Sequence, residues 1–225
     1  MAASSRPKPV LVGIAGGSGA GKSWLAEALQ AFLGARATRI SLDDFFRDRS
    51  HLPPARRAQL NFDNPAAIDW TSVERTLRRL AAGRKATVPC YDFSTHCRLE
   101  AVRAVNPARF VIVDGLWIIR RRSLRRLFEL VIYVDCAEAI RFRRRLTRDL
   151  AVRGRTRASV KRQIRSTVKP MHDRFVAPQA RIADVVISGL CGRKEVEQLA
   201  RRVAALGGGT LARSAPRRAN ERGLG

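Results

Sequence analysis

The chain has 225 residues, 45% of them hydrophobic, and carries 44 Lys and Arg against 19 Asp and Glu, a formal net charge of +25. That length and composition fit one globular domain with a real core, and its apolar runs fall short of the about 20 residues that a membrane-spanning helix needs. The charge suits phosphate-bearing ligands, but 38 of the basic residues are arginine, spread along the whole chain; charge of that kind names no specific nucleic acid partner.

In chain order, residues 1–9 read as a polar, disordered tail. The opening "MAASSRPKPVLVGIAGG" has a basic-then-apolar profile, but its apolar stretch is short and broken by glycine, so "VLVGIA" (10–15) reads as a strand rather than a leader. Gly16-x-x-x-x-Gly21-Lys22-Ser23 follows it and opens a helix from about Lys22, with apolar positions at Trp24, Leu25, Ala28, Leu29, Phe32 and Leu33. Strand, glycine loop and helix together are the context of a P-loop. The stretch Gly16, Gly17, Ser18, Gly19, Ala20 and Gly21, continued by Lys22, Ser23 and Trp24, is therefore the expected nucleotide cradle. Its N–H groups would close on phosphates at a helix N-terminus, Lys22 would reach the β/γ phosphates, and the Ser23 hydroxyl would take Mg²⁺.

"TRISL" (38–42) reads as a second strand ending at Asp43 and Asp44. One of the two carboxylates suits a proton acceptor for an attacking hydroxyl and the other a cap; position alone does not choose. "NPAAIDWTSVERTLRRLAAG" reads as a helix punctuated by Pro65 and Gly83. Residues 86–105 alternate around a polar turn and read as an inserted hairpin. "FVIVDG" (110–115), "LVIYVD" (130–135) and "DVVIS" (184–188) are continuous apolar runs of buried parallel strands. Asp114, at the end of the first of these, has the Walker-B arrangement of a carboxylate near Mg²⁺. No NKxD follows, which favours ATP over GTP.

Helical patterns cover about 136–150, 158–177 and 192–206, and residues 207–225 read as a disordered basic tail. Within them "RFRRRLTRDLAVRGRTR" has the composition of an exposed helix face. Cys90, Cys97, Cys136 and Cys191 form no CxxC pair, so reduced thiols and a cytoplasmic location are expected. The alternation predicts an α/β fold, a doubly wound parallel sheet of the P-loop NTPase type over residues 10–206, with helices on both faces and the hairpin inserted.

Longer stretches carry a resemblance: "GIAGGSGAGKS", "ISLDDFFRD", "NFDNPAAIDW", "VPCYDFSTHCR", "RDLAVRGRT" and "STVKPMHDRFVAPQARIADVVI". With them the chain resembles the uridine kinase family, within the uridine kinase and phosphoribulokinase group. The resemblance implies transfer of the ATP γ-phosphoryl group to the 5′-hydroxyl of uridine or cytidine in pyrimidine salvage, with Mg²⁺, by a homo-oligomer, a tetramer in many members. It implies Asp43 as general base, Asp63 on the ribose hydroxyls, Tyr91 against the pyrimidine and His96 at its edge. It also implies a lid over about 141–163 whose Arg145, Arg148, Arg153 and Arg155, with Gln163, face phosphates and nucleoside; Arg148 is included among the catalytic groups with Asp43 and Lys22. Asp114 stands where the family usually has glutamate, Phe46 where tyrosine is common, and Leu42 where glutamine is. Two other readings stay open: a related kinase acting on ribulose 5-phosphate, pantothenate or nicotinamide riboside, and a nucleic-acid-binding NTPase.

Overall fold

The computed structural model describes residues 7–151 and 155–208; Arg153 and most of both expected tails lie outside the described residues. In chain order the elements are β1 (Val10–Gly16), α1 (Lys22–Leu33), β2 (Ala37–Ser41), the short α2 (Pro54–Arg57) and α3 (Trp70–Ala81). They continue with β3 (Ala86–Asp92), β4 (Cys97–Val105), β5 (Phe110–Asp114), the short α4 (Arg122–Arg125), β6 (Leu130–Asp135) and α5 (Glu138–Ala151). The chain closes with α6 (Arg157–Gln163), a continued helical run that includes α7 (Lys169–Met171), then β7 (Val185–Ser188) and α8 (Arg193–Leu206).

Five strands form one parallel sheet in the order β2-β5-β1-β6-β7, and β3 pairs antiparallel with β4 in a separate hairpin. β1 is central and buried throughout because both of its faces are covered. On one face Leu11, Val111, Val113 and Val131 pack with Leu77 and Leu80 of α3 and with Trp117; on the other Val12, Ile14, Ile112 and Ile132 meet Leu25 and Leu29 of α1 and Leu199 and Val203 of α8. Register places the carboxyl ends together: Asp114 stands beside Ile14 on β1 and beside Ser41 on β2. Ligand sites of open α/β sheets lie beyond these ends.

Several local expectations change. Trp24 is 50% exposed, and Ala26 takes the core position beside Leu25. The helix expected from Pro65 begins at Trp70. The Asn64 side chain accepts from the Ala66 N–H to make a separate turn at Pro65–Ala67, Ile68 bridges to Phe46, and Asp69, accepting from Ser72, is the N-cap. β7 alternates between half-buried and exposed because it is an edge strand paired only to β6. Ser41 caps the turn Leu42–Phe45 by accepting from the Asp43 N–H, so neither aspartate is the cap. The charged run of α5 is not simply an exposed face: Arg141, Arg145 and Asp149, four residues apart, are its buried residues.

Candidate active site

The loop between β1 and α1 wraps tightly. Gly19 has φ +78°, and a Cβ there would run into the backbone carbonyl of Arg141 on α5; only glycine permits that approach. Gly17 lies against the Arg141 guanidinium and the His172 ring, at 2.8 and 3.0 Å from where its Cβ would be. Lys22 is only 9% exposed, and its Nζ donates to the Gly17 carbonyl at 2.8 Å. Burial pulls its ammonium below the ordinary lysine pKa, while the Asp43 and Asp114 carboxylates pull the other way. Ser18, Gly19, Gly21, Lys22, Ser23 and Trp24 line a cleft of about 270 Å³, and Gly16, Gly17 and Ala20 of the same loop are buried.

Ser23 and Asp114 meet: the hydroxyl donates to Asp114 Oδ2 at 2.9 Å. Asp114 is 2% exposed, and its other oxygen accepts from Arg39 Nε on β2 at 2.9 Å. The Ser23 hydroxyl and the Asp114 carboxylate are the paired oxygens here, and no cluster of three or more His, Cys, Asp or Glu occurs among the described residues. That donor set fits Mg²⁺, a hard cation that takes few protein oxygens and completes its shell with water and phosphate.

At the end of β2, Asp43 lines the cleft, while Asp44 turns outward to Arg103 of β4, 3.4 Å away. The register of the two acids follows from the Ser41 cap. The far wall is aromatic. Phe46 meets Phe62, Tyr91 and Phe93 at ring-centroid distances of 5.5, 5.3 and 6.4 Å, and His96 stacks on Phe62 at 4.6 Å. The Tyr91 hydroxyl is buried with no hydrogen-bond partner, and burial drives its pKa well above the ordinary phenol value, so it stays protonated. His96 sits in the hairpin turn at φ 57°, a left-handed conformation that β-branched residues avoid. Arg98 fastens the hairpin, donating to the Phe46 carbonyl at 2.9 Å and pairing with Asp69 at 3.4 Å.

α5 and α6 cover the cleft with a connected set of polar groups. Arg145 donates to Ser18 Oγ at 3.0 Å, to both oxygens of Asp63 at 3.0 and 3.3 Å, and to Gln163 Oε1 at 3.0 Å. Gln163 Oε1 also accepts from Arg155 at 2.6 Å, and Arg155 reaches His96 Nε2 at 3.3 Å. A guanidinium only donates, so Nε2 accepts and the ring proton is assigned to Nδ1. Arg148 pairs with its neighbour Asp149 at 2.9 Å, and Asp149, fully buried, also faces Arg145 Nε at 3.4 Å. Asp63 and Arg145, expected to face ligand separately, are thus joined in a buried bidentate pair.

Asp43, Asp63, Tyr91, His96, Arg145, Arg148, Arg155 and Gln163 come together on this one cleft with Lys22, Ser23 and Asp114. Sequence reasoning missed Arg39, Asp149 and Phe62. Asp149 and Phe62 lie inside quoted motifs, but a carboxylate in a highly charged helix and a phenylalanine beside Asp63 do not stand out from their neighbours in the sequence. Arg39 is a charge inside a strand, the one hint its sequence offers.

Residues 11–194 match the family model described as "Phosphoribulokinase / Uridine kinase family". A protein named uridine kinase from Chloroflexus aurantiacus is 40% identical over 182 residues, 80% of this chain and 87% of that protein. Another, from Streptococcus equi subsp. zooepidemicus, is 37% identical over 181 residues, 80% of this chain and 87% of its own length. Among solved structures, phosphoribulokinase from Rhodobacter spheroides superposes with a TM-score of 0.62 at 19% identity, over 80% of this chain and 70% of that one. The similarity to D-glycerate 3-kinase from Cryptococcus neoformans has a TM-score of 0.55 at 19% identity, over 77% and 81%. At such identities the likeness is one of fold.

Proposed function

Because this chain belongs to the phosphoribulokinase/uridine kinase family, we propose that it transfers the γ-phosphoryl group of ATP to the 5′-hydroxyl of uridine or cytidine, a salvage step for pyrimidine nucleosides. The observation that carries this reading is the single cleft that joins a phosphate loop to an aromatic wall, with Asp43 on its lining. Aromatic faces suit a flat base, and a phosphate loop suits the triphosphate.

In this reading the loop N–H groups and Lys22 hold the β and γ phosphates. The Lys22 contact to the Gly17 carbonyl is exchanged for phosphate oxygen, so the charge is already aimed. Asp43 accepts the proton of the 5′-hydroxyl as oxygen attacks phosphorus and the bond to the bridging oxygen of ADP breaks. Arg148 and Arg155, with residues 141–163 acting as a lid, offset the charge spread over the transferred group and exclude water. Ser23 and Asp114 hold the Mg²⁺, which neutralises phosphate charge when bound. Tyr91, Phe46 and Phe93 enclose the base with His96 at its edge, and Asp63 contacts the ribose by sharing or exchanging its Arg145 partner. Four free cysteines are in keeping with a reducing cytoplasm, and no helix among the described residues is long and apolar enough to cross a membrane. A homo-oligomer fits the exposed Leu99 and Val102 of β4.

The test is ATP consumption measured with uridine, cytidine, ribulose 5-phosphate, pantothenate and nicotinamide riboside in parallel. Turnover is expected with one or both pyrimidine nucleosides. Turnover with a non-nucleoside alone would overturn the acceptor.

A further inference from the structure

Arg39 has no part in the reaction described above, yet its guanidinium ties three elements together at the metal corner. Nε donates to Asp114 Oδ1 at 2.9 Å, and Nη1 meets Glu27 Oε1 at 2.7 Å. The other Asp114 oxygen accepts from Ser23 at 2.9 Å. Ser23 and Glu27 lie four residues apart on α1, hence on one face of that helix. Three side-chain contacts and one turn of α1 therefore close a ring, Ser23–Asp114–Arg39–Glu27, across α1, β5 and β2.

The ring has two physical consequences. It fixes orientation: with Oδ1 engaged by Arg39, Oδ2 is the oxygen turned to Ser23. The single hydroxyl proton of Ser23 is spent on Asp114, so its lone pairs are left for a cation. It also sets charge. The Arg39 guanidinium offsets the buried Asp114 carboxylate, and Glu27, whose side chain is 63% exposed, is screened by water, so the buried part of the corner presents little net negative charge to a divalent ion. A cation then gains most of its attraction from nucleotide phosphates that arrive with it.

We infer that Arg39, braced by Glu27, is a positioning residue that makes Mg²⁺ and nucleotide bind as one unit at Ser23 and Asp114. The inference rests on the Ser23–Asp114 magnesium reading and adds a residue to it that touches neither substrate nor metal. Partners of metal ligands typically govern metal affinity by about 10–100-fold.

The experiment is calorimetric titration of the full chain with ADP, once in Mg²⁺ and once in EDTA, for wild type, Arg39→Gln and Glu27→Gln, each with a melting curve. The quantity read is the ratio of Kd in EDTA to Kd in Mg²⁺. In Arg39→Gln that ratio is expected to fall about tenfold, while Kd in EDTA stays within about twofold of wild type. Glu27→Gln should move the ratio the same way by a smaller factor. An unchanged ratio in Arg39→Gln overturns the inference, as does equal weakening with and without Mg²⁺, which would mean that Arg39 merely shapes the loop. If Arg39→Gln does not fold, Glu27→Gln decides: a ratio lowered about threefold supports the inference and an unchanged one overturns it. A wild type whose ADP affinity ignores Mg²⁺ would overturn the magnesium reading together with this one; a wild type that responds, beside an Arg39→Gln that responds equally, overturns this one alone.

Discussion

At the scale of single residues, Asp43 and Asp44 are adjacent acids with different surroundings. Asp43 lines the cleft and acts electrostatically on Lys22, whereas Asp44 faces Arg103 at the cleft's outside. Asp43→Asn keeps the shape but cannot take a proton, so kcat should fall by about 10²–10⁴-fold with nucleoside binding retained. Asp44→Asn should keep most turnover and lose at most about 1 kcal/mol of stability, the scale of a partly exposed ion pair. Steady-state kinetics and melting curves on both variants separate the roles, and an inactive Asp44→Asn would reverse them. His172 makes a second case. Burial, reinforced by Arg141 and Lys22 and opposed by Asp173 and Glu138, lowers its pKa to about 4. Below about pH 6.5 the unfolded chain takes up a proton that the folded imidazole refuses until about pH 4. The stability linked to His172 is thus complete above pH 6.5 and is lost as the pH falls from there toward 4. His172→Phe should lose less melting temperature than wild type between pH 7 and pH 5; equal losses would remove the imidazole from the account.

At the scale of elements, the hairpin β3–β4 is separate from the main sheet and carries Tyr91 and His96 to the cleft. Its position depends on contacts such as that of Arg98 with the Phe46 carbonyl and Asp69. Arg98→Ala should raise KM for the nucleoside about tenfold, the worth of one charge-assisted hydrogen bond, and leave KM for ATP nearly unchanged. Equal increases in both would mean that the hairpin does not serve the acceptor. α5 differs from an ordinary amphipathic helix, in which the apolar face is the one that packs. Here Arg141 packs on Gly17, Arg145 spans Ser18 and Asp63, and Asp149 receives Arg145 and Arg148. Buried charge of this kind is stable only when paired, and the pairing makes the helix a register between the β1–α1 loop and the aromatic side of the cleft.

At the scale of the whole molecule, the charge of +25 acts as a field more than as an address. It should draw polyanions weakly and without sequence preference. Binding to duplex and single-stranded oligonucleotides, followed by fluorescence anisotropy, should be detectable at low salt and collapse on the way to physiological salt, where counterion release no longer favours it. A tight, sequence-selective complex at physiological salt would contradict that expectation. The same field would favour ATP and disfavour departure of its anionic products, so salt is expected to lower ATP affinity as well.

The linear order of residues determined the parts whose physics is local. "VLVGIA", "FVIVDG" and "LVIYVD" read as strands buried on both faces and are β1, β5 and β6, and the spacing Gly16 to Ser23 between strand and helix reads as a phosphate cradle. The hairpin at 86–105 and the α/β alternation were legible for the same reason, and the motif stretches that match the uridine kinase family marked most of the cleft. Other features depended on where distant segments meet. That Asp69 rather than Pro65 starts α3 depends on Ile68 bridging to Phe46. That β7 is half exposed depends on its place at the sheet's edge. The Asp63–Arg145 pair and the ring through Arg39 each join side chains separated by dozens of residues, and no periodicity encodes which arginine, among so many, will find a given carboxylate. Charge pairing is decided by three-dimensional proximity and burial, and those exist only once the sheet has set its strand order.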